Sequence, residues 1–150
     1  MEKTLVLLKP DAVQRALVGE IISRIESKGL KVAGMKLILV NNELARKHYS
    51  EHVDKPFYAG LEKFITSSPL VAMVIQGESA ISVVRELIGP TDPKSAAPGT
   101  IRGDYGMSIG LNLVHGSDKP ESAIKEISLF FKDDEIVEYE RASELWITES

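Results

Sequence analysis

The feature that most constrains this chain is a set of four short apolar, β-rich runs: TLVLL (4–8), KVAGMKLILV (31–40), LVAMVI (70–75) and LNLV (111–114). Stretches with helical spacing separate them. The first run is stopped by Lys9-Pro10 and contains no charged residue, the pattern of a central strand covered by other elements. Strands interleaved with helices restrict the fold to layered α/β or α+β arrangements. No glycine-rich turn follows the first strand, which favours an α+β sandwich with helices on one face of a mostly antiparallel sheet; a parallel doubly wound sheet is the alternative.

The intervening helices carry their own punctuation. Asp11 offers a cap to a helix in which Val13, Leu17, Ile21, Ile22 and Ile25 recur near helical spacing, and Gly29 supplies the left-handed stop. Asn42 opens a second helix, NELARKHYSEH. After Pro56 a third, FYAGLEKFITSS, sets Phe57, Leu61, Phe64 and Ile65 on one stripe. Ser79 begins SAISVVRELIG, which Gly89 ends, and KPESAIKEISLFF (119–131) has Pro120 near its start. Residues 89–110 show no sustained periodicity, and a loop of that length within a domain is functional or flexible. The polar tail, 132–150, holds the only tryptophan, Trp146, which is out of place unless it docks on something.

The 150 residues suit one domain, 1–150, without repeats, low-complexity tracts or linkers. Eighteen basic against 22 acidic side chains leave a net charge of −4, so a broad electrostatic footprint for nucleic acid is missing and any anion must be held by a local cluster. The absence of cysteine excludes a disulfide framework, a thiolate metal site and thiol catalysis. No apolar run approaches the length of a membrane span, and TLVLL is too short for a signal segment, so a soluble, unprocessed cytoplasmic protein is expected.

Several motifs compete for the chemistry. GMSIG (106–110) matches the G-x-S-x-G nucleophile elbow and nominates Ser108, but a loop precedes it and a strand follows, where the elbow requires a strand and then a helix. HYSEH sets His48 and His52 four apart on a helical face, a zinc-compatible spacing without a third ligand; two polar residues on an amphipathic helix is the plainer reading. The standard phosphate loops are absent, so phosphate would be bound by side chains such as Lys9, Arg85, Thr91 and Arg102. His115 follows an apolar run and precedes the turn Gly-Ser-Asp. Neutral imidazole can attack phosphorus and carry the phosphoryl group, provided its other nitrogen finds an acceptor. Glu126 is a candidate if the last helix folds back over the strand end, flanking a stripe of Ile124, Ile127 and Phe131; a solvent-exposed glutamate is the alternative.

Taken together, KPDAVQRALVGEIISRIESKGLKV (9–32), HYSEH with KPFY (48–58), GPTDPKSAAPGTIRGDYG (89–106) and NLVHGSD (112–118) before SAIKEISLFF resemble nucleoside diphosphate kinase over nearly the whole chain. NxxHGSD downstream of GTIRGD is far more specific than a lone histidine. The resemblance implies a ferredoxin-like βαββαβ sandwich with a four-stranded antiparallel sheet and a long loop before the last strand. It implies γ-phosphoryl transfer from a nucleoside triphosphate to a nucleoside diphosphate by a ping-pong route through phosphohistidine, with Mg2+.

Residue by residue, His115 matches the family's nucleophile and Glu126 the carboxylate that orients it. Lys9 and Asn112 match the residues on the ribose hydroxyls, with Lys9 and Tyr49 near the transferred group. His52, Arg85, Thr91 and Arg102 match the phosphate contacts. Phe57 matches the aromatic beneath the base, Leu61 joins the nucleotide-binding set, and Ile109 falls where the family places an aliphatic on the base's other face. Magnesium would be held mainly by nucleotide phosphates, with Asp118 reaching it through water or instead capping the helix near Pro120. Stacking rewards any base, so broad base specificity is expected. The resemblance also implies a homo-oligomer, a hexamer rather than a tetramer from the long loop and tail, although the chain ends ELWITES where many relatives close with Tyr-Glu. A serine hydrolase and a non-catalytic nucleotide sensor are the competing classes.

Overall fold

In the computed structural model, which describes residues 1–149, the continuous apolar run at the start of the chain becomes β1 (Glu2–Leu8), followed at once by α1 (Pro10–Gln14). Then come α2 (Val18–Ser27), β2 (Lys31–Ile38), α3 (Asn42–His48), α4 (Tyr58–Ile65), β3 (Leu70–Gly77) and α5 (Ala80–Ile88). The long loop holds a short helix, α6 (Ile101–Tyr105), before β4 (Val114–Gly116) and α7 (Pro120–Phe130). The strands form one sheet in the order β2-β3-β1-β4, and all three pairings are antiparallel. This is the ferredoxin-like order, and it removes the parallel alternative.

The coverage of the sheet differs from expectation: helices lie on both faces. Successive strand residues point to opposite sides, and in β1 and β3 both sets are buried. Val6, Leu8, Val71, Met73 and Ile75 pack with Ile21 and Ile25 of α2, Val84 and Ile88 of α5 and Ile101 of α6. Leu5, Leu7, Leu70, Ala72 and Val74 pack with Ala45 of α3, Ile65 of α4 and Phe130 of α7. A sheet with one wet face would alternate polar and apolar residues along these strands, and TLVLL and LVAMVI do not. Each wholly buried leucine or isoleucine contributes about 1.5–3 kcal/mol of transfer free energy, so neither layer is dispensable.

Several boundaries shift for local reasons. The first expected helix is two, because Ala16 takes φ +57° between α1 and α2. Asp11 lies inside α1 and does not cap it; Lys9 holds the N-cap position and Pro10 the first turn. Asn41, whose side chain accepts from the Leu44 amide, caps α3, which ends at His48, so His48 and His52 do not share a continuous helical face. In α4 Tyr58 is buried, while Phe57, expected on the apolar stripe, precedes the helix and is 54% exposed. In α7 the buried residues are Ala123 and Phe130, whereas Ile124 is 74% exposed. The fourth strand begins at Val114, not Leu111, since Leu113 has φ +73° and cannot continue an extended chain.

Candidate active site

The site forms where β1 and β4 end against α3, α5 and α7. Lys9 follows β1; its backbone N–H donates to the Leu113 carbonyl at 2.9 Å and its ammonium to the Asn112 amide oxygen. His115 pairs with Leu7 in the β1–β4 ladder, so it points to the side occupied by α3 and α7. There its Nε2 meets Glu126 Oε1 at 3.0 Å. Ser117 Oγ donates to the same Glu126 oxygen at 2.6 Å and accepts from the Leu5 amide at 3.2 Å. Glu126 is therefore fixed from two sides, and Nε2 of His115 carries the proton that the carboxylate accepts. The lone pair of the neutral ring is left on Nδ1. Burial pushes the Glu126 carboxyl up, but the hydrogen bonds it accepts from His115 and Ser117, beside the imidazole of His48, outweigh it and hold the group below the ordinary carboxylate range.

A cleft of about 450 Å³ opens in front of His115. Of the residues singled out in the sequence, Lys9, Tyr49, His52, Leu61, Arg85, Thr91, Arg102, Asn112, His115, Asp118 and Glu126 line it. Two do not. Phe57 lies at the margin, its ring tilted 5.6 Å from that of His52, and Ile109 stands on the long loop, 61% exposed. His52 Nδ1 accepts from Lys55 at 3.0 Å. Asp118 is exposed, and α7 has no side-chain cap, so the capping role considered for Asp118 is not taken up.

The floor of the cleft is cationic. Arg102 donates from Nε to the Asn112 carbonyl at 3.0 Å and from its two terminal nitrogens to Gly89 at 2.9 Å and Val114 at 2.6 Å. Gly89, at φ +90°, allows α5 to end with that carbonyl turned to the guanidinium. Arg85 donates to the Gly116 carbonyl at 3.1 Å, and Gly116 is where β4 meets α5: an added Cβ would lie 3.0 Å from Ile88 Cδ1. Lys9, Arg85 and Arg102 thus donate to amide and carbonyl oxygens. Burial, reinforced by Arg85, draws Arg102 down to about 10, and burial with Arg102 draws Lys9 down to about 8. Three cations held close enough to disfavour one another's charge form a site for a polyanion.

The parts played by two residues escape sequence reasoning: His48, weighed there only as a zinc-spaced or surface polar side chain, and Ser117. His48 packs its ring edge-on against His115, with centroids 4.9 Å apart, and against Phe130 at 5.4 Å. Its Nδ1 is buried without a partner, and burial together with His115 pulls it down to about 3, so it stays neutral. The helical interval from buried Ala45 to His48 is the signal that would have placed it inward. Ser117 is read in the sequence only as turn punctuation, although it is wholly buried. Tyr49, at the end of α3, is pushed up to about 12 by burial and by Tyr58, which keeps its hydroxyl protonated as a donor. Ser108 sits on the exposed loop in an isolated bridge with Leu111, without the strand-turn-helix of a nucleophile elbow. Among the described residues, no three histidine or acidic side chains gather to hold a metal.

The sequence model of the nucleoside diphosphate kinase family matches residues 2–136. The chain belongs to that family. Relatives named nucleoside diphosphate kinase include the Archaeoglobus fulgidus protein, 58% identical over 149 residues that cover 99% of each chain. Another, from Bacillus licheniformis, is 59% identical over 147 residues, covering 98% of this chain and 99% of its own. Among solved structures, the halophilic nucleoside diphosphate kinase of Halobacterium salinarum in complex with CDP superposes with a TM-score of 0.96 at 53% identity, covering 99% of each chain. The family protein from Babesia bovis gives a TM-score of 0.96 at 42% identity, covering 99% of this chain and 100% of its own.

Proposed function

We propose that this cleft moves the γ-phosphoryl group of a nucleoside triphosphate to a nucleoside diphosphate, the phosphotransferase activity of the family, with His115 as the covalent carrier. The observation that carries the reading is the His115 Nε2 to Glu126 contact of 3.0 Å on the wall of a cleft floored by Lys9, Arg85 and Arg102. Nδ1 attacks the γ-phosphorus, the bond to the bridging β–γ oxygen breaks, and the nucleoside diphosphate departs with that oxygen. A second nucleoside diphosphate then takes the phosphoryl group from Nδ1 through a terminal phosphate oxygen, restoring the neutral ring. Glu126 offsets the positive charge that develops on the imidazole, as the carboxylate of a catalytic triad does. Lys9, Arg85, Arg102, Thr91 and His52 hold phosphate oxygens, and Tyr49 donates near the transferred group.

Lys9 and Asn112, already joined to each other, take the ribose hydroxyls. Phe57, Leu61 and Ile109 receive the base through apolar contact that does not read its edge, so base specificity is broad. Magnesium is the metal implied by the family. The donor set suits an ion carried by the nucleotide: Lys9, Arg85 and Arg102 line the cleft, and exposed Asp118 would contact the ion through water. When bound, Mg2+ would supply positive charge to offset that of the phosphates, beside Lys9, Arg85 and Arg102.

The chain acts as a single domain, 1–150, within a homo-oligomer that we read as a hexamer in the cytoplasm, without general affinity for nucleic acid. Association is supported by exposed Met35, Leu37 and Leu39 on and beside the edge strand β2, and by Trp146, which is 89% exposed and does not dock on its own chain. The test is incubation with ATP labelled in its γ-phosphate. Wild type is expected to take up acid-labile, alkali-stable label that GDP discharges, and His115→Ala none. Equal labelling of both proteins rejects His115 as carrier.

A further inference from the structure

Asn112 and His115 both line the cleft, although residues three apart in an extended chain face opposite sides of a sheet. The reversal occurs at Leu113. Its φ of +73° and the hydrogen bond from the Val114 amide to the Asn112 carbonyl, 2.8 Å, define a γ-turn of the rare positive-φ hand. Residues with side chains seldom adopt this conformation, and it persists where the surroundings over-determine it.

The surroundings are specific. Leu113 is fully buried in the core below the sheet. Its carbonyl accepts from the Lys9 amide at 2.9 Å, and its N–H donates to Asp11 Oδ2 at 3.1 Å. The carbonyls on either side, of Asn112 and Val114, are held by Arg102. Asp11 is only 9% exposed and its other oxygen is buried without a partner, so the hydrogen bond from Leu113 is the one its side chain accepts at this depth, with the Lys9 ammonium near enough to feel its charge.

We infer that Asp11 is a positioning residue: by accepting the Leu113 N–H it locks the γ-turn that brings Asn112 and His115 into one cleft. The inference rests on the reading of His115 as phosphoryl carrier. Without that acceptor the buried N–H is unpaired and Leu113 relaxes toward an extended backbone. The nitrogen of His115 that meets the γ-phosphorus is then displaced, while Lys9, Arg85 and Thr91 still hold phosphate. Misplacement of a reacting group by an ångström lowers rates by up to roughly a hundredfold.

The experiment compares Asp11→Leu and Asp11→Ala, which remove the acceptor, with Asp11→Asn, which retains an oxygen at the same reach. Single-turnover labelling of His115 by γ-labelled ATP is measured beside steady-state kcat and KM and the amide 1H–15N shift of Leu113. The expected result is a loss of labelling rate of roughly tenfold to a hundredfold in the apolar variants, carried by kcat more than KM. Their Leu113 amide shift moves upfield, and Asp11→Asn recovers most of the rate and the shift. A folded apolar variant that labels at the wild-type rate overturns the inference, as does Asp11→Asn falling as far as Asp11→Ala. Should neither apolar variant fold, Asp11→Asn decides alone: a tenfold loss with an unchanged Leu113 shift contradicts a role confined to that N–H. Failure of the underlying reading is separate, because wild type itself would then carry no label on His115.

Discussion

Replacing Glu126 by glutamine isolates what the carboxylate charge does, since the amide has nearly the same shape and can still accept from His115 Nε2. In wild type the two groups are 3.0 Å apart, with side-chain exposures of 27% for His115 and 15% for Glu126. Full unit charges at that distance interact by about 5–6 kcal/mol at an effective dielectric constant of about 20, which sets an upper bound. Only part of a unit charge develops on the ring as phosphorus is attacked, and Ser117 shares the carboxylate. A loss of about 1.5–3 kcal/mol, the range for hydrogen bonds to charged groups, is therefore expected, equivalent to a rate decrease of roughly 10- to 150-fold.

The assay is rapid-quench labelling of His115 by γ-labelled ATP, with steady-state kinetics and thermal unfolding alongside. KM for ATP is expected to stay within about threefold, because on the proposed reading the phosphates rest on Lys9, Arg85 and Arg102 rather than on Glu126. The same carboxyl lies below its ordinary value of 4.5 in the folded protein. Its contribution to stability is present above about pH 4.5 and is lost as pH falls through the folded value, and Glu126→Gln removes that part of the acid dependence. A folded Glu126→Gln protein that labels as fast as wild type refutes charge compensation by Glu126.

Two further perturbations test the rest of the cleft. Lys9 is lowered from 10.5 to about 8, so KM for the triphosphate is expected to rise above about pH 8 as the ammonium discharges, while stability gains from this group between about pH 8 and pH 10.5, where only the unfolded chain keeps the proton; Lys9→Met abolishes both effects, and an unchanged pH profile contradicts the assignment. Phe57→Ala is expected to raise KM about fivefold, the lower end for loss of base stacking because the ring is half exposed; kinetics with adenine, guanine, cytosine and uracil nucleotides check it, and an effect confined to one base argues against stacking.

What the sequence determines is local. Apolar β-rich runs between helical stretches specify the strands, because burial of alternate or continuous side chains is a property of the run itself. Gly29 and Gly89, both at positive φ, end their helices as their lack of a Cβ permits. The NxxHGSD and GTIRGD segments bring the resemblance, and with it His115 and Glu126. What the tertiary structure decides is which surfaces meet. TLVLL and LVAMVI are covered on both sides because α3, α4 and α7 fill the face that α2 and α5 leave open. Asp11 accepts directly from the Leu113 amide, so its use depends on a partner about a hundred residues away in the chain rather than on the helix in which it lies. LNLV has every local reason to be a strand, yet Leu113 turns, because its buried side chain and the hydrogen bonds from Lys9 and to Asp11 outweigh the backbone preference of leucine. Long-range burial and pairing settle such choices, and a reading along the chain sees only one side of each pair.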